Sequence, residues 1–252
     1  MPKPLRVPSS ELAPGRRRVT GPAARYITRV HRLRPGDAVS FFDPEQAVEA
    51  DARVLEVSRE ALTCELELPR SSGYRPHPFT LIQGLAKGDK PDLILRDATA
   101  LGVWRIHFVD TERAVVHVPD ERSAARRERW RRIAVEAARQ SGRGDVPELG
   151  GPSPLGQVLP EVVADYPLCL SPHGVPLFTA LAGWQHEQSI ALLVGPEGGL
   201  TPAEIGLAEQ FGFVSASLGP TTLRSELAGI AALGALVAFG AWRDGRKEAP
   251  HG

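Results

Sequence analysis

Beyond a proline-rich stretch, Pro69 to Pro78, apolar strand-like runs alternate with segments of helical period. That alternation restricts this part of the chain to a mostly parallel sheet with helices on both faces. The strand candidates are FTLIQGLA (79–86), WRIHFVD (104–110), PLCLS (167–171), SIALLVG (189–195) and VSASLG (214–219). Helices are expected over Lys90 to Leu101 and Ser123 to Gln140, after Thr201, and from about Ser225. Thr201 can cap a helix, and Pro202 suits a first helical turn. In the helix from Ser123, Trp130, Ile133 or Ala134, and Ala137 share one face. Arginines 126, 127, 129, 131 and 132 cover the rest. Pro147 to Pro160 has the composition of a loop.

Ahead of the proline-rich stretch the rhythm is different. AVSFFD, ARVLEVS and ALTCELEL are short strands separated by turn residues, and Leu62, Cys64, Leu66 and Leu68 alternate onto one side. A small β-barrel or sandwich is the expectation. Three prolines, a glycine and two serines make PRSSGYRPHP a linker, which divides the chain into domains 1–72 and 73–252.

The 30 basic and 30 acidic residues cancel, so net charge alone selects no partner. Their distribution is more informative. Up to Gly36 the bases Lys3, Arg6, Arg16, Arg17, Arg18, Arg25, Arg29, Arg32 and Arg34 face only Glu11, so this end can attract phosphate. Cys64 and Cys169 lack CxxC or Cys/His spacing, which excludes a disulfide framework and a structural zinc site. A reducing, cytoplasmic setting follows. The N-terminal prolines do not fit a targeting helix, and Leu227 to Trp242 falls short of the ~20 residues of a membrane span, so a buried helix without membrane contact is expected.

Two loops at strand carboxyl ends carry the candidate chemistry, since open α/β sheets place ligands there. In LLVGPEGGLTPAEI (192–205) an apolar strand runs through Gly195-Pro196-Glu197-Gly198-Gly199 into a capped helix. Glycines there let a ligand approach the backbone, although a tight turn without ligand has the same pattern. In SLGPTTLRSELAGIAALGAL (217–236) a strand ends at Leu218-Gly219-Pro220, and a long apolar helix begins behind Arg224 and Glu226. Ser225 and Glu226 could equally serve as a cap. Neighbouring parallel strands would bring the two bends to one crevice.

The ordered pair GPEGGLTPAEI and LGPTTLRSELAGIAAL closely resembles the paired motifs of the SPOUT superfamily of methyltransferases, and within it the small-subunit ribosomal RNA methyltransferase E family. RVHRLRPGDAVSFFD, GLAKGDKPDLILRDATALGV and RWRRIAVEAARQSGRGDVPEL extend the resemblance over nearly the whole chain. It implies a small PUA-like RNA-binding β-barrel, then a C-terminal SPOUT-type α/β domain with a deep trefoil knot at about 190–240. It implies a homodimer, with the helix Leu227 to Trp242 in the interface. The implied reaction is transfer of a methyl group from S-adenosylmethionine to N3 of a uridine in 16S ribosomal RNA, free or within the small ribosomal subunit, without a metal.

On that resemblance the cofactor lies against Leu193, Val194, Gly195, Pro196, Glu197, Gly198 and Gly199, against Leu218, Gly219 and Leu223, and near Thr179 and Leu181 of a third loop. Arg224 is the first candidate for the catalytic region, because its permanent charge suits RNA phosphate or a developing uracil anion. Glu226 or Glu197 could accept the proton if burial raised its pKa; water and solvent are alternatives. RNA contacts are expected from Arg17, Arg18, Arg25, Arg29, Arg32, Arg131 and Arg143. The chain departs from the usual family pattern at Arg96-Asp97, at Ala100 and at Gly144-Asp145, positions that could alter the grip on RNA.

Overall fold

The computed structural model describes residues 4–58, 61–114 and 123–248. It divides into two compact units, Met1–Arg75 with Val135–Val146, and Pro76–Ala134 with Pro147–Gly252.

The first unit holds β1 (Leu5–Pro8), β2 (Gly15–Thr20), α1 (Gly21–Arg25), β3 (Ala38–Asp43), β4 (Val48–Val57), β5 (Ala61–Leu66) and β6 (Arg70–Ser71). They form a sheet in the order β1-β3-β4-β5-β2, with β6 on β4; β1 runs parallel to β3 and the other pairs are antiparallel. Val7, Ile27, Phe41, Val54, Leu62 and Cys64 bury its core. Leu68 lies past the end of β5 and is 76% exposed, so the expected alternation stops at Leu66. Residues 135–146 join this unit although they are distant in sequence. The Arg6 guanidinium donates to the carbonyls of Gly142 (2.7 Å) and Arg143 (3.2 Å), and Gly144 meets Ser72 so closely that a Cβ would come within 2.2 Å of it.

The second unit contains β7 (His77–Gly84), α2 (Lys90–Ala100), β8 (Val103–Asp110), the first part of α3 (Ser123–Ser141), β9 (Glu148–Pro154), α4 (Leu155–Val158), β10 (Tyr166–Pro176), α5 (Leu177–Ala180), β11 (Ile190–Val194), α6 (Pro202–Gln210), β12 (Val214–Ser217) and α7 (Ser225–Glu248). Its sheet has the order β12-β10-β11-β7-β8-β9, and every adjacent pair is parallel. The expected loop over Pro147 to Pro160 is in fact β9 followed by α4. Its glycines belong to the strand: a Cβ on Gly151 would stand 2.0 Å from the Phe108 carbonyl oxygen, so close pairing beside β8 requires the composition that resembled a loop.

α7 is buried along one stripe, Gly229, Ala232, Leu233, Leu236 and Gly240, and packs on α2, β11 and β7. Its other face is open, with Leu227 51% and Trp242 54% exposed, which corrects the expectation of a buried helix. By length and composition alone Ser225–Arg243 is also long and apolar enough to span a bilayer.

Candidate active site

A bulge in β10 and the segments leaving the carboxyl ends of β11 and β12 line one cavity of about 810 Å³, within the usual size of a small-molecule site. The two glycine-proline bends therefore share a crevice, but not through neighbouring strands. β10 lies between β11 and β12 and supplies a third wall.

Each wall has a local physical cause. At the first bend, Gly199 takes φ +69° and its N–H donates to the Pro196 carbonyl at 2.9 Å. A Cβ on Gly195 would lie 2.9 Å from the Leu200 nitrogen, so only glycine lets the turn close on itself. The bend ends in a capping box: Thr201 Oγ1 accepts from the Glu204 N–H (3.2 Å), and Glu204 Oε2 accepts from the Thr201 N–H (2.8 Å). At the second bend, Ser217 Oγ accepts from the Gly219 N–H at 3.2 Å, and the Arg224 carbonyl accepts the first helical bonds of α7. The third wall is a bulge. Leu170 and Val175 both pair with Ala216, so residues 171–174 loop out and Ser171, Pro172 and His173 reach the cavity.

Of the residues expected at the cofactor, Val194, Gly195, Pro196, Glu197, Gly199, Leu218, Gly219 and Leu223 line this cavity, and so does the catalytic candidate Arg224. Leu193 is fully buried in the core beneath it, and Gly198 faces Arg113, whose guanidinium donates to the Gly198 carbonyl at 3.2 Å. Thr179 is exposed on α5 and Leu181 is buried just beyond it; neither lines the cavity, because the third wall comes from the β10 bulge. The sequence reading missed that bulge, together with Lys90 and Arg113. The Ser171-Pro172-His173-Gly174 turn was its available signal.

Charge at the cavity is organised around Lys90. Its ammonium lies 2.8 Å from Glu197 Oε1 and 3.3 Å from Glu226 Oε2. Burial tends to raise Glu197, but hydrogen bonds from Lys90 and from the Lys87 N–H outweigh it and hold the carboxyl below its ordinary range. Glu226 is lowered by its own backbone N–H and then by Lys90. The raised carboxyl pKa required of a glutamate base is thus absent from both. Arg224 is exposed and makes no ion pair with any described residue.

Among the expected RNA contacts, Arg18, Arg25, Arg29 and Arg32 are exposed, while Arg17 and Arg131 are half-buried. Arg17 spends its guanidinium on the carbonyls of Ser10 and Glu11. Arg143 is corrected: it is 1% exposed, ion-paired to Asp145 at 2.6 Å and stacked on Tyr74, so it has no face to offer a phosphate.

Comparison with known proteins places these features in a lineage. Residues 74–237 match the RNA methyltransferase domain family, and residues 19–67 match the RNA methyltransferase PUA domain. The ribosomal RNA small subunit methyltransferase E of Bacillus subtilis is 34% identical over 228 residues, covering 86% of this chain and 88% of the relative. The chain belongs to the ribosomal RNA small subunit methyltransferase E family. Its Mycobacterium bovis member is 32% identical over 225 residues, covering 86% and 84% of the two chains. The Neisseria gonorrhoeae member of the E family, solved with S-adenosylmethionine bound, superposes with a TM-score of 0.81 at 29% identity, over 94% of this chain and 98% of that one. A Legionella pneumophila methyltransferase, also solved with this cofactor, gives 0.82 at 29% identity with the same coverage.

Proposed function

We propose that this protein transfers the methyl group of S-adenosylmethionine to N3 of a uridine in 16S ribosomal RNA, acting in the cytoplasm as a homodimer. The observation that carries the reading is one cavity lined by both glycine-proline bends and the β10 bulge, in a chain of the E family. The site fits the cofactor. Its walls at Leu170, Val194, Leu200, Leu218 and Leu223 are apolar, and its glycines at 195, 199 and 219 bring backbone close to the ligand. In this reading the first unit is a PUA-like barrel and the second a SPOUT domain with a trefoil knot. The strand order supports the knot: β11 sits between β7 and β10, β12 lies outside β10, and the chain then returns so that α7 packs on β11 and β7.

When bound, the cofactor supplies an electrophilic methyl group on a sulfonium. The three walls would hold it in one direction, which is the positioning an in-line transfer needs. Arg224, which makes no ion pair with any described residue, lines the wall and meets the negative charge of an RNA phosphate or of the uracil that forms as N3 loses its proton. Glu197 and Glu226 stay ion-paired to Lys90, so neither stands as an unpaired base for the N3 proton. The exposed Arg18, Arg25, Arg29 and Arg32 hold phosphate in the first unit.

The test is incubation with labelled cofactor and small subunits, or their naked RNA, from a strain lacking this gene, followed by mapping of the modified nucleoside. Label at uridine N3 is expected. Label on a different atom, or none with either substrate, overturns the assignment.

A further inference from the structure

The methyl-transfer reading leaves Lys90 without a role. It lies at the start of α2, distant in sequence from both glycine-proline bends, yet its ammonium reaches a carboxylate of each: Glu197 within the first and Glu226 just past the second. The three side chains are only 18% to 29% exposed. Around this cross-link the bends are tied at other points: the Lys87 N–H donates to the same Glu197 oxygen at 3.2 Å, and Ser225 Oγ contacts Glu226 Oε2 at 3.4 Å. Among the described residues Lys90 is the one side chain that bridges the two bends by ion pairs.

We propose that Lys90 is a positioning residue, which fixes the separation of the two bends around the donor and cancels the charge of two carboxylates that would otherwise repel RNA. The proposal rests on the methyl-transfer reading. Two separable consequences follow from the geometry. Removing the ammonium frees both bends, which weakens donor binding. It also leaves two uncompensated negative charges at the cavity, which weakens capture of a polyanion. Replacing the carboxylates as well removes the second penalty and not the first.

The experiment compares the wild-type protein with Lys90→Ala, Lys90→Arg and the triple variant Lys90→Ala, Glu197→Gln, Glu226→Gln. The first readout needs no ligand: hydrogen exchange of the amides in 195–200 and 221–227. Lys90→Ala should lose protection in both bends at an unchanged melting temperature, and Lys90→Arg should recover it. The second is donor Kd by calorimetry, expected to rise roughly three- to tenfold in Lys90→Ala, the scale of two partly exposed ion pairs. The third is KM for small-subunit RNA, expected to rise in Lys90→Ala with the donor saturating and to stay near wild type in Lys90→Arg and in the triple variant. Unchanged exchange in Lys90→Ala overturns the proposal. So does a KM effect that the glutamine substitutions leave intact while the salt dependence of RNA binding loses about one contact, because Lys90 would then touch phosphate itself. A wild-type protein that shows the exchange result but binds no donor defeats the methyl-transfer reading while the cross-link stands.

Discussion

Gly84 carries no functional atom, yet it shapes the donor site as firmly as any residue that touches it. A Cβ there would fall 2.6 Å from Cδ of Pro196, so the end of β7 and the first bend fit together only without a side chain. Gly84→Ala must therefore displace the bend. We expect a loss of about 1–3 kcal/mol in chemical denaturation, the usual cost of overpacking, and a weaker donor Kd by calorimetry; an unchanged Kd would show that the bend moves without consequence for the site. Arg224 is the opposite case, since it is exposed and holds no other side chain in place. Arg224→Ala should keep its melting temperature and donor affinity and lose turnover about 10²-fold or more, the scale on which removal of a charge-stabilising group acts. Activity within a few-fold of wild type would remove Arg224 from the reaction. The sequence displayed both positions, but only Arg224 announced a role. Gly84 and Lys90 act through partners more than a hundred positions away, and no local pattern encodes such pairs.

At the scale of elements the sequence was legible wherever a single periodicity dominated. AVSFFD is β3 to the residue, and Lys90 to Leu101 matches α2 within one position, because alternation and helical spacing each act locally. The failures share a cause. β9 and the β10 bulge are built from Gly, Pro and Ser, whose usual meaning is a turn, and here they serve close backbone approach. The α6 capping box was readable from Thr201 and Glu204, but its reach was not: Glu204 Oε1 also accepts the Glu112 N–H at 2.8 Å, so the cap anchors the chain beyond β8 as well. Thr201→Ala should cost about 1 kcal/mol, within the ~0.5–2 kcal/mol range for lost caps, read as a fall in the denaturation midpoint. Thr201→Ser should restore most of it. If the alanine variant is as stable as wild type, the box is decorative.

For the whole molecule, strand-helix alternation foretold a parallel sheet, but the order β12-β10-β11-β7-β8-β9 depends on which strands are inserted between which, and periodicity holds no such information. The same limit applies to association. Burial of one stripe of α7 accounts for only part of its apolar character and leaves Leu227, Ala238 and Trp242 exposed at helical spacing on the other side. In the proposed homodimer, a second copy of the same helix is the self-complementary partner that a two-fold axis would supply for such a stripe. Ala238→Glu tests this directly. The position is exposed in the single chain, so the change should alter its folding by less than about 0.5 kcal/mol. Across a symmetric interface it would bury a pair of like charges, and sedimentation should show the dimer dissociating at concentrations where the wild type stays associated. If the variant sediments as the wild type does, the second copy must attach through some other face, and the open side of α7 would need a different partner.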